Sequence, residues 1–205
     1  MRGVAEPPRP PALPGDQAQP LNPEEAAAWA EVTDNLTDLA ERLRRGEAEV
    51  FFAPHLPDLD LDLDRVLNAL HVPADAGVYA QELERILRRI PDGWGRWIGC
   101  DRGWWPLIIR LDGRLSSLDP LYRLEQVKEK LGGLRYYIQT NSPHAAAMEA
   151  LIDEAEAESE FVCELCSSAA GVLMADAGRR GWLKTLCPSC AEGTGYKPVP
   201  SAQDG

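Results

Sequence analysis

The chain has 205 residues, 33 of them Asp or Glu and 21 Lys or Arg, for a formal net charge of −12. That length holds one modest core with appendages, and the acidity argues against a general nucleic-acid binder, whose phosphate affinity comes from clustered Lys and Arg. No apolar run approaches the roughly 18 residues that cross a bilayer, and Met1 to Gly15 lacks the apolar stretch of a secretory signal. A soluble, cytoplasmic protein in a reducing compartment is therefore expected, with no membrane partner.

Residues 1–20 carry prolines at 7, 8, 10, 11, 14 and 20 and few large apolar groups. Such a segment buries too little surface to offset its ordering, and a disordered arm is predicted. Asn22-Pro23-Glu24-Glu25 is a helix start, with Asn22 as cap and acidic residues near the positive end of the dipole. The helix, about 24 to 45, places Trp29, Val32, Leu36, Leu39 and Leu43 on one face. Glu49 to Phe52 reads as a short strand. Leu56 to Asp64 alternates leucine with aspartate, but no register supplies the glycine and glutamate of a calcium loop. An extended segment is expected instead, with Asp62 or Asp64 capping a short helix through Val66, Leu67 and Leu70. Pro73-Ala74-Asp75 starts a further helix whose apolar side holds Val78, Tyr79, Leu83, Ile86, Leu87 and Ile90, ended by Pro91-Asp92-Gly93.

Trp94, Trp97, Trp104 and Trp105 then fall close together. Such a cluster either stacks a ligand or partner or forms the packing centre of a small domain. Cys100, inside it, reads as a small buried side chain, since none of the histidines at 55, 71 and 144 is near it in sequence. A helix follows from Trp105 to about Leu118. Next, Leu121, Leu124, Val127 and Leu131 fit one helical face, with the alternative that 122–130 is the first strand of a hairpin turning at Gly132-Gly133. Leu134 to Ile138 reads as a strand. The last long helix, about 143 to 159, turns Met148, Leu151, Ile152 and Ala155 inward and exposes Glu149, Asp153, Glu154, Glu156, Glu158 and Glu160.

That helix runs without glycine or proline into Cys163-Glu164-Leu165-Cys166, and 20 residues separate this hook from Cys187-Pro188-Ser189-Cys190. Two Cys-x-x-Cys hooks at this separation suit one tetrahedral zinc, and four thiolates close its coordination, which marks a structural site. Disulfides or redox pairs are the competing reading, disfavoured in a reducing compartment. Between the hooks, Gly171 to Met174 and Trp182 to Leu186 flank the glycine-bounded turn Gly178 to Gly181. A zinc ribbon, or a treble clef with a short last helix, is predicted.

The block Gln126-Val127-Lys128-Glu129-Lys130-Leu131-Gly132-Gly133-Leu134-Arg135-Tyr136-Tyr137 resembles one carried by a group of small, largely uncharacterised bacterial and phage proteins. They share with this chain a Gly-Trp element (Gly103-Trp104), an acidic helix like Leu151 to Glu156, and a cysteine module like Gly181 to Cys187. The resemblance spans residues 99–191 and implies an architecture without a known activity. It departs at Leu131, where the group has phenylalanine and a mild change in the core is expected, and at Cys100-Asp101-Arg102, where the group has Cys-Gly-Asp.

The fold class expected is α+β: a disordered arm over 1–20, a mainly helical domain with a small sheet over 21–160, a four-cysteine zinc module over 161–192, and a disordered tail over 193–205. With no nucleophile-base pairing and no phosphate loop in a readable motif, catalysis is not expected. The function expected is a zinc-stabilised interaction protein with a protein partner, contacting it through Trp94, Trp97, Trp104, Trp105 and the Arg123, Lys128, Lys130, Arg135, Tyr136 block. A sharper variant is an immunity or inhibitor protein whose acidic helix covers a basic site. The alternative is nucleic-acid binding through Arg179, Arg180, Lys184 and the 123–135 basic block.

Overall fold

The computed structural model describes residues 12–44, 62–176 and 182–199. The short strand expected at Glu49 to Phe52, most of the Leu-Asp alternation, and Arg179 and Arg180 lie outside them. So do the side chains of Leu36, Leu39 and Leu43.

Helix α1 (Pro23–Arg44) begins as its sequence requires. The Asn22 side chain accepts from the N–H groups of Glu24 and Glu25, and the Glu25 carboxylate accepts in return from Asn22 N–H, a reciprocal capping box. Asp62 caps α2 (Leu63–Asn68) by accepting from Arg65 N–H. The next helix starts later than expected. Gly77 has φ 53 and breaks the first turn into a 3₁₀ segment, so α3 runs Ala80–Leu87 and Val78 is 86% exposed, not on the core face. Leu83, Ile86, Leu87 and Ile90 are buried as predicted. Helix α4 (Trp105–Leu118) keeps its predicted bounds, with Pro106 in its first turn.

The expectation of a helix over 121–131 is overturned, and the alternative hairpin holds. Strands β1 (Arg123–Lys130) and β2 (Gly133–Gln139) pair antiparallel, with Lys130 opposite Gly133 across the turn. The register shifts between Leu124 and Gln126. That bulge spaces the buried positions Tyr122, Leu124 and Val127 two residues apart and then three, which imitates a helical period. Both edges of this two-stranded sheet are occupied. Gly99 exchanges backbone hydrogen bonds with Val127 and Glu129 along β1. On the β2 side, Ser159 and Glu156 of α5 (Ala145–Ser159) accept from the N–H groups of Leu134 and Tyr136.

One core joins α3, α4, α5 and the hairpin, built on Leu83, Ile86, Ile108, Leu111, Leu124, Leu134 and Met148. A polar network is sealed inside it. Asp112, fully buried, accepts from Arg89 Nε at 2.6 Å and from the Tyr122 hydroxyl at 2.6 Å, and Tyr122 meets the Tyr136 hydroxyl at 2.8 Å. Arg89 also donates to Ser116 Oγ and Pro120 O, so the buried charges are paired and hydrogen-bonded, the condition for tolerating them.

The segment from Ala12 to Pro20, expected within the disordered arm, packs on this domain. Arg88 donates to the carbonyls of Gly15, Asp16 and Ala18, Gly15 N–H donates to Arg88 O, and Gln19 O accepts from Leu70 N–H. The prolines that argue against a helix leave carbonyls that arginine can satisfy. Beyond the hairpin and α5, strands β3 (Val172–Asp176) and β4 (Leu183–Leu186), helix α6 (Pro188–Thr194) and strand β5 (Tyr196–Pro198) form a second unit with sheet order β4-β3-β5. The tail expected from Gly193 thus supplies the end of a helix and a third strand, after a turn at Gly195 with φ 77.

Candidate metal centre

Each hook is shaped by local backbone chemistry. In the first, Cys163 N–H donates to Ser168 O and Ser167 N–H to Cys163 O, closing a tight turn in which Ser167 has φ 64. In the second, Cys187 stands just before α6 and Pro188 opens the helix. The Ser189 hydroxyl and the Cys190 N–H both donate toward Cys187 sulfur and pull its thiol down to about 6. The Cys190 thiol is pushed up instead, by its hydrogen bonds with Cys187 and Cys166, so without an ion the cluster's negative charge rests first on Cys187.

The Sγ atoms of Cys163, Cys166, Cys187 and Cys190 all lie within 4.8 Å of one another. Those of Cys166 and Cys187 are 3.6 Å apart. Four sulfurs each about 2.3 Å from one ion stand roughly 3.8 Å apart at tetrahedral angles, so this donor set fits a single thiophilic metal. Among the described residues the rest of the unit's interior is small: Met174, Leu186 and Ala191 beside the buried Cys163 and Cys187, with Leu165 and Tyr196 partly buried against them.

The unit is tied to the main domain at its first hook. Gly103 N–H donates to Glu164 O at 2.6 Å, Ser167 Oγ donates to Gly103 O, and Trp104 Nε1 donates to Val162 O at 2.8 Å. A Cβ at Gly103 would collide with the carbonyls of Cys163 and Glu164. Higher up, Thr185 Oγ1 donates to Gly132 O in the β1–β2 turn. Between these ties lies an ionic bridge. Lys184 donates to Asp101 at 2.5 Å and to Glu164 at 2.9 Å, and Glu164 also accepts from Asp101 N–H. Glu164 sits between the two cysteines of its hook and is fully buried; burial pushes its carboxyl above the ordinary range, and Lys184 opposes that.

The chain matches no protein-family model, no curated protein and no solved structure.

The predicted contact residues separate into three sets. Trp104, Trp105 and Tyr136 are core, because the 3₁₀ turn Arg102–Trp104 and the start of α4 drive both indoles between the helices and the hairpin. Lys184 is committed to Asp101 and Glu164, and Arg135 to Leu134 O and Glu156. Trp94, Trp97, Arg123 and Lys130 remain at the surface, and half-buried Lys128 lies 6.0 Å from the Tyr137 ring centre. Trp97 folds over Gly95 and sets its edge against His71. Leu131, expected in the core, is exposed at the hairpin turn. Cys100 is half-buried, not fully buried as expected, and desolvation, with the Glu164 and Asp101 carboxylates, pushes its thiol far above the ordinary cysteine range. An un-ionised thiol is a poor nucleophile. Sequence reasoning missed the Asp101–Lys184–Glu164 bridge. Its signal was an acidic residue inside one hook and a basic residue three positions before the other.

Proposed function

We propose that the chain is a zinc-stabilised, non-catalytic interaction protein, in which one Zn²⁺ on Cys163, Cys166, Cys187 and Cys190 holds a treble-clef-like module of knuckle, hairpin and short helix. The observation that carries this reading is the convergence of four thiols in a unit whose own apolar interior is too small to hold it. Four thiolates complete a tetrahedral shell, which leaves the ion a structural role. What the metal then supports is surface. Protein is the partner class favoured over nucleic acid, because Lys184 and Arg135 are spent on internal carboxylates and the chain is strongly acidic.

The immunity-type variant draws less support. Of the acidic residues on α5, Glu154 pairs with Arg114, Glu158 with Arg110 and Glu156 with Arg135, so that face offers a weaker field than its sequence suggests. The test of the zinc reading is elemental analysis of protein purified without added metal. One zinc per chain is expected, with four thiols that react only after chelation. A folded, metal-free chain with those four thiols free would sink the reading.

A further inference from the structure

We propose that the pocket between the β1–β2 turn and the four-cysteine unit is the contact site for a protein partner that inserts a lysine or arginine flanked by apolar side chains. This rests on the interaction-protein reading above and gives it a place and a partner chemistry. The cavity holds about 490 Å³. Asp101 and Glu129 line its opening beside Lys130, while Glu164 lies buried beneath, paired with Lys184, three carboxylates in all against two ammonium groups. Lys184 is held between Asp101 and Glu164, and Lys130 stands exposed at the end of β1. The lining therefore keeps a surplus negative charge within a chain of net charge −12, and complementary fields select and steer a cationic partner.

A second observation, independent of charge, points to the same rim. Leu131 has φ 55 and Gly132 φ 80, the two left-handed positions of a type I′ hairpin turn, where asparagine or glycine is favoured first. A leucine there crowds its own Cβ against the backbone, and at 62% exposure its side chain gains little from its own fold. Trp182, which lines the same pocket, is 49% exposed, so the rim presents apolar surface of the kind that marks an interaction site. Ile98 and Trp182 extend the apolar wall from Leu131. An apolar rim over an anionic floor matches the aliphatic stem and charged head of lysine or arginine.

Two substitutions separate contact from fold. Glu129 accepts from Gly132 N–H at 2.6 Å, so Glu129→Gln keeps an acceptor for the turn and removes only charge. Leu131→Asn suits the turn better than leucine does. The zinc-loaded full chain is used as bait for a phage-displayed library of random peptides, and a selected peptide is titrated against the wild type and both variants. Selected peptides are expected to carry Lys or Arg beside apolar residues, to bind at least about tenfold more weakly to each variant, and to weaken with added salt. Leu131→Asn is expected to melt at or above the wild-type temperature; a lower melting temperature would assign Leu131 to the fold and overturn the proposal. Peptides that bind all three proteins equally, or that lack basic residues, overturn this site and leave the interaction reading standing. Self-association abolished by Leu131→Asn, or retention of random oligonucleotides abolished by it, overturns the proposal in favour of a second copy or a nucleic acid. Enrichment of no peptide overturns both this site and the interaction reading.

Discussion

At Gly103 the main domain meets the first cysteine hook backbone to backbone, and no side chain fits between them. Gly103→Ala should therefore move the hook and lower stability by about 1–3 kcal/mol, the range for inserting a methyl into a packed contact. The same change should hasten zinc loss to a chelator; unchanged melting and unchanged release would show that the hook yields freely. Tyr122 and Tyr136 make a different residue-scale claim. Burial pushes both hydroxyls well above the ordinary tyrosine value, while in the unfolded chain they titrate near pH 10. The folded form then keeps protons that the unfolded form loses. Their contribution is complete below about pH 10 and declines as the pH rises through the folded values. The denaturant midpoint should fall between about pH 9 and pH 11, and a Tyr122→Phe, Tyr136→Phe double variant should flatten that slope.

Among the elements, the segment Ala12 to Pro20 lacks regular structure yet is held by arginine side chains. Its carbonyls satisfy Arg88 and Arg65, and Gly15 lies where a Cβ would stand 2.9 Å from the Arg88 backbone. A chain beginning at residue 21 should melt several degrees below one beginning at residue 12, since it strips partners from two partly buried guanidinium groups. Equal melting of the two would make the docking incidental. The same contrast explains what the sequence disclosed. Helices α1 and α4 and the two hooks were legible, because caps, period and Cys-x-x-Cys spacing are local signals. The hairpin's first strand was disguised by a bulge at Leu124 to Gln126, whose spacing belongs to helices. The four clustered tryptophans could not be sorted in advance, since Trp104 is buried with its indole N–H on Val162 O while Trp94 is 54% exposed. The Asp101–Lys184–Glu164 bridge joins residues up to 83 positions apart, and no local pattern announces such a partner.

Over the whole molecule, the large core and the four-cysteine unit share Val162, Glu164 and Thr185 as points of attachment. Helix α5 enters the first hook through the turns Glu160 N–H to Ala157 O and Val162 N–H to Ser159 O, with no glycine or proline to act as a hinge. Cys187→Ser should cost several kcal/mol, on the scale by which metal binding drives folding in small zinc domains, and the loss should spread. Hydrogen exchange should show faster amides over 145–159 as well as over 163–190. Protection lost in the second range alone would make the unit an independent appendage.

The placement of the hooks after the main domain also dictates an order of events during synthesis. Gly103, Trp104 and Asp101 emerge from the ribosome about sixty residues before Cys163, and the strand that completes the second sheet comes later still. Until the first hook clears the exit tunnel, the nascent domain presents an open seam where Trp104 Nε1 and the Gly103 backbone await partners. N-terminal parts fold first as a chain is made, but here the seam at Gly103 and Trp104 is covered only once residues 162–167 have followed. The seam therefore closes late, and a chain stopped before the first hook should leave it exposed to the cell's proteases.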